Sequence, residues 1–178
     1  TAQSPIIVTG TVTVISGTLT ISPGVTVKFN SGTELIIQTG GRLIANGTSS
    51  QPITFTSNVT PTPASCDWET IRLFGNDNII RYSLIEYARW GIYVQLFSGG
   101  HNISHNTFRR NALCMPSPVG AAIAGSPDNT TIDANNFISN TSAIYLTKAS
   151  YNTISNNVIS DTSLAAIAIV RSIPSGGT

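Results

Sequence analysis

The sequence predicts an all-β solenoid of about seven coils, and three observations carry that prediction. The first is a repeated phrase. Ile80-x-x-Ser83-x-Ile85-x-x-Ala88 is followed by Ile103-x-x-Asn106-x-Phe108-x-x-Asn111, by Ile132-x-x-Asn135-x-Phe137-x-x-Asn140 and by Ile154-x-x-Asn157-x-Ile159-x-x-Thr162. The leading Ile recurs after 23, 29 and 22 residues, and a second apolar column trails it at Ile92, Ile123, Ile144 and Ile167. Self-similarity at such a period means that one repeat is one coil of chain. The second observation is that short runs alternating apolar and polar residues, rich in β-branched side chains, dominate the chain, and no stretch has a helical period. The third is composition. Only 10% of the 178 residues are charged, against about 25% in an ordinary globular protein, and Thr, Ser, Asn and Gly take their place.

Taken in order, Ile6-Ile-Val8 and Val12-Thr-Val14 read as a partial first coil. Strands beginning at Leu19, Val25 and Leu35 make the next coil, and those beginning at Leu43, Ile53 and Ile71 the one after. Turn residues punctuate them at Ser16-Gly17, Pro23-Gly24, Ser31-Gly32, Gly40-Gly41 and Asn46-Gly47. Ile80, Ile85 and Ile92 open a further coil, and three more follow at the repeat period. Residues 1–75 are thus Thr-rich coils and residues 76–178 are Asn-bearing repeats of one continuous domain. With about 4.8 Å between parallel neighbours, the stack is roughly 30–35 Å long.

The phrase also has an inside and an outside. Unbroken apolar columns at Ile80/Ile103/Ile132/Ile154 and Ile85/Phe108/Phe137/Ile159 must face the core. Between them lie Ser83, Asn106, Asn135 and Asn157, and at the next corner Ala88, Asn111, Asn140 and Thr162. Stacked Asn side chains can bond amide to amide along the axis, which satisfies groups that are costly to bury alone.

These residues resemble the right-handed parallel β-helix, or pectin-lyase-like, superfamily. Two blocks carry the resemblance: Leu19 to Phe29 running into Gly41 to Thr48, Pro52 to Ser57 and Trp68, and the N-x-x-I-x-x-N-x-F-x-x-N repeat. The resemblance implies a single-domain right-handed parallel β-helix in which Trp68 anchors the core or a loop. It does not imply one activity, because this fold hosts lyases, hydrolases, adhesins and surface fibres.

Several function classes recede on composition and pattern. A net charge of +1 gives no bulk attraction to nucleic acid. No apolar run approaches the roughly 20 residues of a membrane span. Lyases of the superfamily use clustered Asp for calcium with a Lys or Arg base, and hydrolases use Asp residues on adjacent coils. The eight acidic residues here form no such column, so the reading is not an enzyme, with no cofactor. His101 and His105 would lie about 13 Å apart along a strand, too far for a metal clip. His105, above Tyr82, reads as an ordinary surface histidine. Glu86 and Arg109, and Tyr87 and Arg110, read as an ion pair and a cation–π contact between adjacent coils.

The low charge and polar surface read as an extracellular or cell-surface protein. The chain starts at Thr1 and its one Met is Met115, so an export signal has been removed or this is an excised segment. An oxidising compartment favours a Cys66–Cys114 disulfide over two buried thiols. Both cysteines leave the same flank in long irregular stretches, and the coil of Ile92 lies between them. The role expected is a non-catalytic structural subunit that stacks end to end through apolar, charge-free edges: Ile6, Ile7, Val8, Val12 and Val14 at one end, Leu164, Ile167 and Ile169 at the other. The alternative is a carbohydrate-binding or polysaccharide-cleaving β-helix, with Tyr82, Tyr87, Arg89, Trp90 and Tyr93 as a patch for surface glycans. Thr-x-Thr runs near Thr9 and Thr18 do not repeat at the coil period, which weakens an ice-binding reading.

Overall fold

In the computed structural model, residues 4–112, 114 and 120–170 are described. Their strands are β1 (Ile6–Val8), β2 (Val12–Ile21), β3 (Thr26–Phe29), β4 (Leu35–Asn46), β5 (Ile53–Ser57), β6 (Ile71–Leu73), β7 (Ile79–Arg81), β8 (Ser83–Glu86) and β9 (Ile92–Val94). They continue as β10 (Asn102–Ser104), β11 (Thr107–Arg109), β12 (Ile123–Gly125), β13 (Thr131–Asp133), β14 (Asn136–Ile138), β15 (Ser142–Thr147), β16 (Thr153–Ser155), β17 (Val158–Ser160) and β18 (Ala165–Val170). No helix occurs among the described residues.

Every strand pair is parallel, and the chain visits three faces in rotation. The first face runs β1-β3-β5-β8-β11-β14-β17. The second runs from the start of β2 and β4 through β6, β9, β12, β15 and β18. The third runs from the ends of β2 and β4 through β7, β10, β13 and β16. The structure is therefore a right-handed parallel β-helix, with six full turns and two strands of a seventh described.

The long strands β2 and β4 each serve two faces by bending at their midpoint. Gly41 makes the bend of β4 possible: a Cβ there would sit 2.5 Å from the Val14 carbonyl oxygen. In later turns the same corner is an open loop, and faces two and three separate.

The expected registers hold. Ile80, Ile103, Ile132 and Ile154 stack in one column, and Ile85, Phe108, Phe137 and Ile159 in another. Ile92, Ile123, Ile144 and Ile167 form the third. One apolar core runs from Val8 to Leu146 through both the Thr-rich and the Asn-bearing turns. Aromatic rings stack within it along the axis, with Phe108 and Phe137 at 5.0 Å between centroids. Trp68 is fully buried, lies 4.2 Å from Phe29 ring to ring, and donates its indole N–H to the Glu86 carbonyl.

Each corner of the repeat turns on one left-handed residue followed by one inward residue, which is polar at every corner but that of Ala88. Tyr82, His105, Ala134 and Asn156 have φ between 48° and 58° and precede Ser83, Asn106, Asn135 and Asn157. Tyr87, Arg110, Ser139 and Asp161, with φ from 53° to 64°, precede Ala88, Asn111, Asn140 and Thr162. A positive φ costs an L-residue roughly 1–2 kcal/mol. Where the inward residue is Asn, its side chain offsets that cost by bonding the corner to a neighbouring turn.

Candidate functional site

The corner ladders are the main polar feature of the interior. Backbone N–H groups of Ser83, Asn106 and Asn135 donate to the side-chain Oδ1 of Asn106, Asn135 and Asn157, at 2.9–3.0 Å. The amide nitrogens bond back to the Ile80, Ile103 and Ile132 carbonyls and onward to the next Asn. A second ladder joins Ala88, Asn111 and Asn140 in the same way. All of these Asn side chains except Asn157 are at most 1% exposed, so the expected columns are structural.

A third ladder was missed by sequence reasoning. Leu43 N–H donates to Asn78 Oδ1 at 2.7 Å, Asn78 N–H to His101 Nδ1 at 3.2 Å, His101 N–H to Thr130 Oγ1 at 3.3 Å, and Thr130 N–H to Asn152 Oδ1 at 2.8 Å. His101 is 2% exposed. Its Nδ1 accepts from Asn78, so its Nε2–H donates to Ser98 Oγ at 3.0 Å, and Ser98 passes its own proton to the Gly75 carbonyl. That chain of bonds needs a neutral imidazole. Burial pushes its pKa from 6.5 to about 4, with the nearby Asp77 partly opposing the shift. The signal was present: Asn78, His101, Thr130 and Asn152 each stand two residues before the leading Ile of a turn.

Carboxylates are held in pairs rather than gathered. Glu34 bonds Arg72 at 3.0 Å, Glu69 meets Arg89 at 3.4 Å and Glu86 meets Arg109 at 2.5 Å. Glu86 also accepts from Thr56 at 2.8 Å. Asp67 accepts from Ser57 and from Ala64 N–H. Asp133 is held below the usual carboxylate range first by the Ser155 hydroxyl and then by Asn156. Among the described residues, no three of His, Cys, Asp and Glu converge.

The proposed glycan patch is divided among three places. Tyr82 lies at the corner between the third and first faces, its ring tilted against the exposed His105 ring at 4.7 Å with Arg81 beside it. Tyr87 lies at the next corner. There Arg110 donates to its hydroxyl at 3.4 Å, in place of the cation–π contact expected. Arg89, Trp90 and Tyr93 stay together on or beside the second face. Arg89 lies over the Trp90 ring at 4.9 Å, and Trp90 meets Tyr93 edge-on at 5.6 Å. The five residues make no single surface because the αL corners after β7 and β8 turn the chain between faces.

Two long loops leave the flank beside that face. Cys66 and Cys114 are joined, and Ser65 Oγ donates to the Arg110 carbonyl. The loop of the third turn thus reaches across the corner of the fourth, at Tyr87 to Trp90, to meet the fifth. The Trp68–Ala88 bridge and the Asp67 N–H to Tyr87 carbonyl bond fasten it on the way.

At the ends, Ile6, Ile7 and Val12 are 40–43% exposed, and Leu164, Ile167, Ile169 and Val170 are 43–61% exposed. Val8, also named in the expected edge set, is 7% exposed and packs into the core. Val14 is half-buried against the core as well. Both point inward because the strand alternation places Ile7 and Thr13 outside. At the first turn the core opens into a cavity of about 210 Å3 lined by Ile6, Val12, Leu19 and Ile21 among others.

Residues 57–176 match the family model described as periplasmic copper-binding protein (NosD). Residues 2–107 match the one described as pectate-lyase like beta helix domain. No curated protein and no solved structure gives a significant match.

Proposed function

The chain belongs to the NosD and pectate-lyase-like β-helix families, and from that premise we propose that it is a non-catalytic structural solenoid, working outside the cytoplasm, whose end turns add to those of further copies. The disulfide and the periplasmic setting of the NosD description support the location. The pairing of Glu34, Glu69 and Glu86 with arginines supports the non-catalytic reading, since glycoside hydrolysis uses two carboxyl groups roughly 5–9.5 Å apart.

The observation that carries the stacking is the character of the two end turns. β1 and β2 present exposed Ile6, Ile7 and Val12, and β17 and β18 present exposed Val158, Ile167 and Ile169. None of these four strands contains a charged residue, whereas edges that stay single place charge or proline there. All turns run the same way, so one end laid on the other continues parallel pairing and covers the open mouth of the core. Contact of this head-to-tail kind does not close on itself and gives filaments.

Copper is named in the NosD description; among the described residues no three of His, Cys, Asp and Glu converge on one point. Cys66 and Cys114 are bridged, His101 has both ring nitrogens engaged, and His105 lies against Tyr82 with Asp133 nearby. Met115 lies outside the described residues. Copper sites need several such soft or imidazole donors at one point.

Sedimentation velocity at rising concentration tests the stacking. The expected result is a series of species heavier than one chain, collapsing to a single 18.7 kDa species in an Ile167→Lys, Ile169→Lys variant. A parent chain that stays single throughout would falsify it.

A further inference from the structure

The two end turns carry the first and last members of the same inward columns. On the first face Ile6 pairs with Val27, and the column continues through Phe55, Ile85, Phe108 and Phe137 to Ile159. On the second face Val12 pairs with Leu35 in a column that ends at Ile167, and the column beside it runs from Val14 to Ile169. We propose that a second copy of the chain seats on the last turn at one fixed register, its Ile6 on Ile159, its Val12 on Ile167 and its Val14 on Ile169. This rests on the stacking role above and deepens it by naming the residues that meet.

The strand alternation selects that register. A slip of one residue would turn Ile7 and Thr13 inward and the apolar set out to solvent. A slip of two in one direction sets Ile159 against Ser4 and Ile167 against Gly10. In the other direction it carries Ile169 past Val14 onto the bend of β2. Only the unslipped register gives each of the three isoleucines an aliphatic partner. The corner between the faces is no obstacle. Ile6 and Val12 are 6 residues apart and Ile159 and Ile167 are 8 apart, while Phe55 and Ile71 stand 16 apart in the same two columns.

The open mouth of the core fits the same contact. The cavity of about 210 Å3 at the first turn is lined by Ile6, Val12, Leu19 and Ile21 among others. Inside the rod, inward side chains of successive turns lie directly on one another, as Phe108 and Phe137 do. At the last turn Ile159 is only partly buried and Ile167 is 45% exposed. The proposed register lays these two side chains over the mouth of the next copy and restores contacts that an open void forfeits.

Strand direction fixes the polarity. Last turn on first turn continues the parallel pairing found throughout the chain. Two like ends facing each other would oppose their strands and break the columns.

Cysteine cross-linking between Thr13→Cys and Ala168→Cys chains tests the proposal. These outward positions lie opposite each other in the proposed register. Neighbouring strands are about 4.8 Å apart, and a disulfide spans Cα separations of about 4.4–6.8 Å. The native cysteines are already bridged. An equal mixture oxidised with glutathione disulfide should give a two-chain band on a non-reducing gel. The band should be at least tenfold stronger than when Ala166→Cys or Val170→Cys replaces Ala168→Cys, and neither variant alone should give it. Ile7→Cys with Ser160→Cys repeats the test on the first face, so that one misfolded variant does not decide the outcome. Sedimentation velocity of the same mixtures reads the stacking by itself. Heavier species whose band is strongest at Ala166→Cys or Val170→Cys, forms in a single variant, or is absent at both pairs overturn the register and leave the stacking. Single chains throughout overturn both.

Discussion

His101 shows how one residue can be read by its neighbours. Its Nδ1 receives Asn78 N–H and its Nε2 faces Ser98, so a second proton has nowhere to go without turning a bond into a repulsion. The folded pKa is depressed, so the neutral form carries the stability: it is fully present above about 6.5 and is lost as the pH falls through about 4. The loss is on the order of 3 kcal/mol when complete. Thermal melts from pH 8 to pH 3.5 should show this slope, and His101→Asn, which puts the ladder's commoner residue in place, should flatten it between pH 6.5 and pH 4. Asp133 also destabilises on acidification, but its window lies below its ordinary value of 3.8. Asn135 tests the ladder itself. Replacing it with Leu orphans Asn106 N–H and the Ile103 carbonyl and should cost about 1–3 kcal/mol, read as a lower melting midpoint by about 2–4 °C per kcal/mol. An unchanged midpoint would place that column in solvent.

Among the elements, the loops joined by Cys66 and Cys114 are the part whose removal can be measured separately. The bridge closes 48 residues of sequence separation, and constraining such a loop in the unfolded chain is worth up to about 4 kcal/mol. Reduction should therefore lower the denaturant midpoint markedly while the far-ultraviolet β signal of the folded state survives, because the three ladders do not pass through the bridge. Loss of that signal on reduction alone would mean that the loops hold the turns together. The strands and two of the ladders were legible in the sequence because Ile, Phe and Asn recur there unchanged at fixed offsets. The third ladder was harder to see. Its members, Asn78, His101, Thr130 and Asn152, are chemically unlike, and the loops before them differ in length. The division of Tyr82, Tyr87 and Tyr93 among faces was hidden for a related reason: a run of twelve residues crosses two αL corners, and nothing in side-chain type marks a left-handed Tyr.

On the scale of the whole molecule, backbone pairing joins each turn only to the one before and the one after. Such a stack behaves as a one-dimensional array whose stability is a sum of neighbour terms. On the stacking proposed above, copies meet at their end turns, so charge placed at Ile167 and Ile169 is expected to decide between single chains and longer assemblies. The bridge departs from that nearest-neighbour rule, since it ties the third turn to the fifth across the fourth. Mechanically it is a rivet through a coiled spring. Pulled from its C-terminal end, the rod would shed the seventh and sixth turns one after another, each at its own modest force. At Cys114 the load would pass into a covalent link. The six strands between the cysteines, β6 to β11, would then carry no load of their own and stay folded as one block, so that one stretch yields turn by turn and the other does not lengthen.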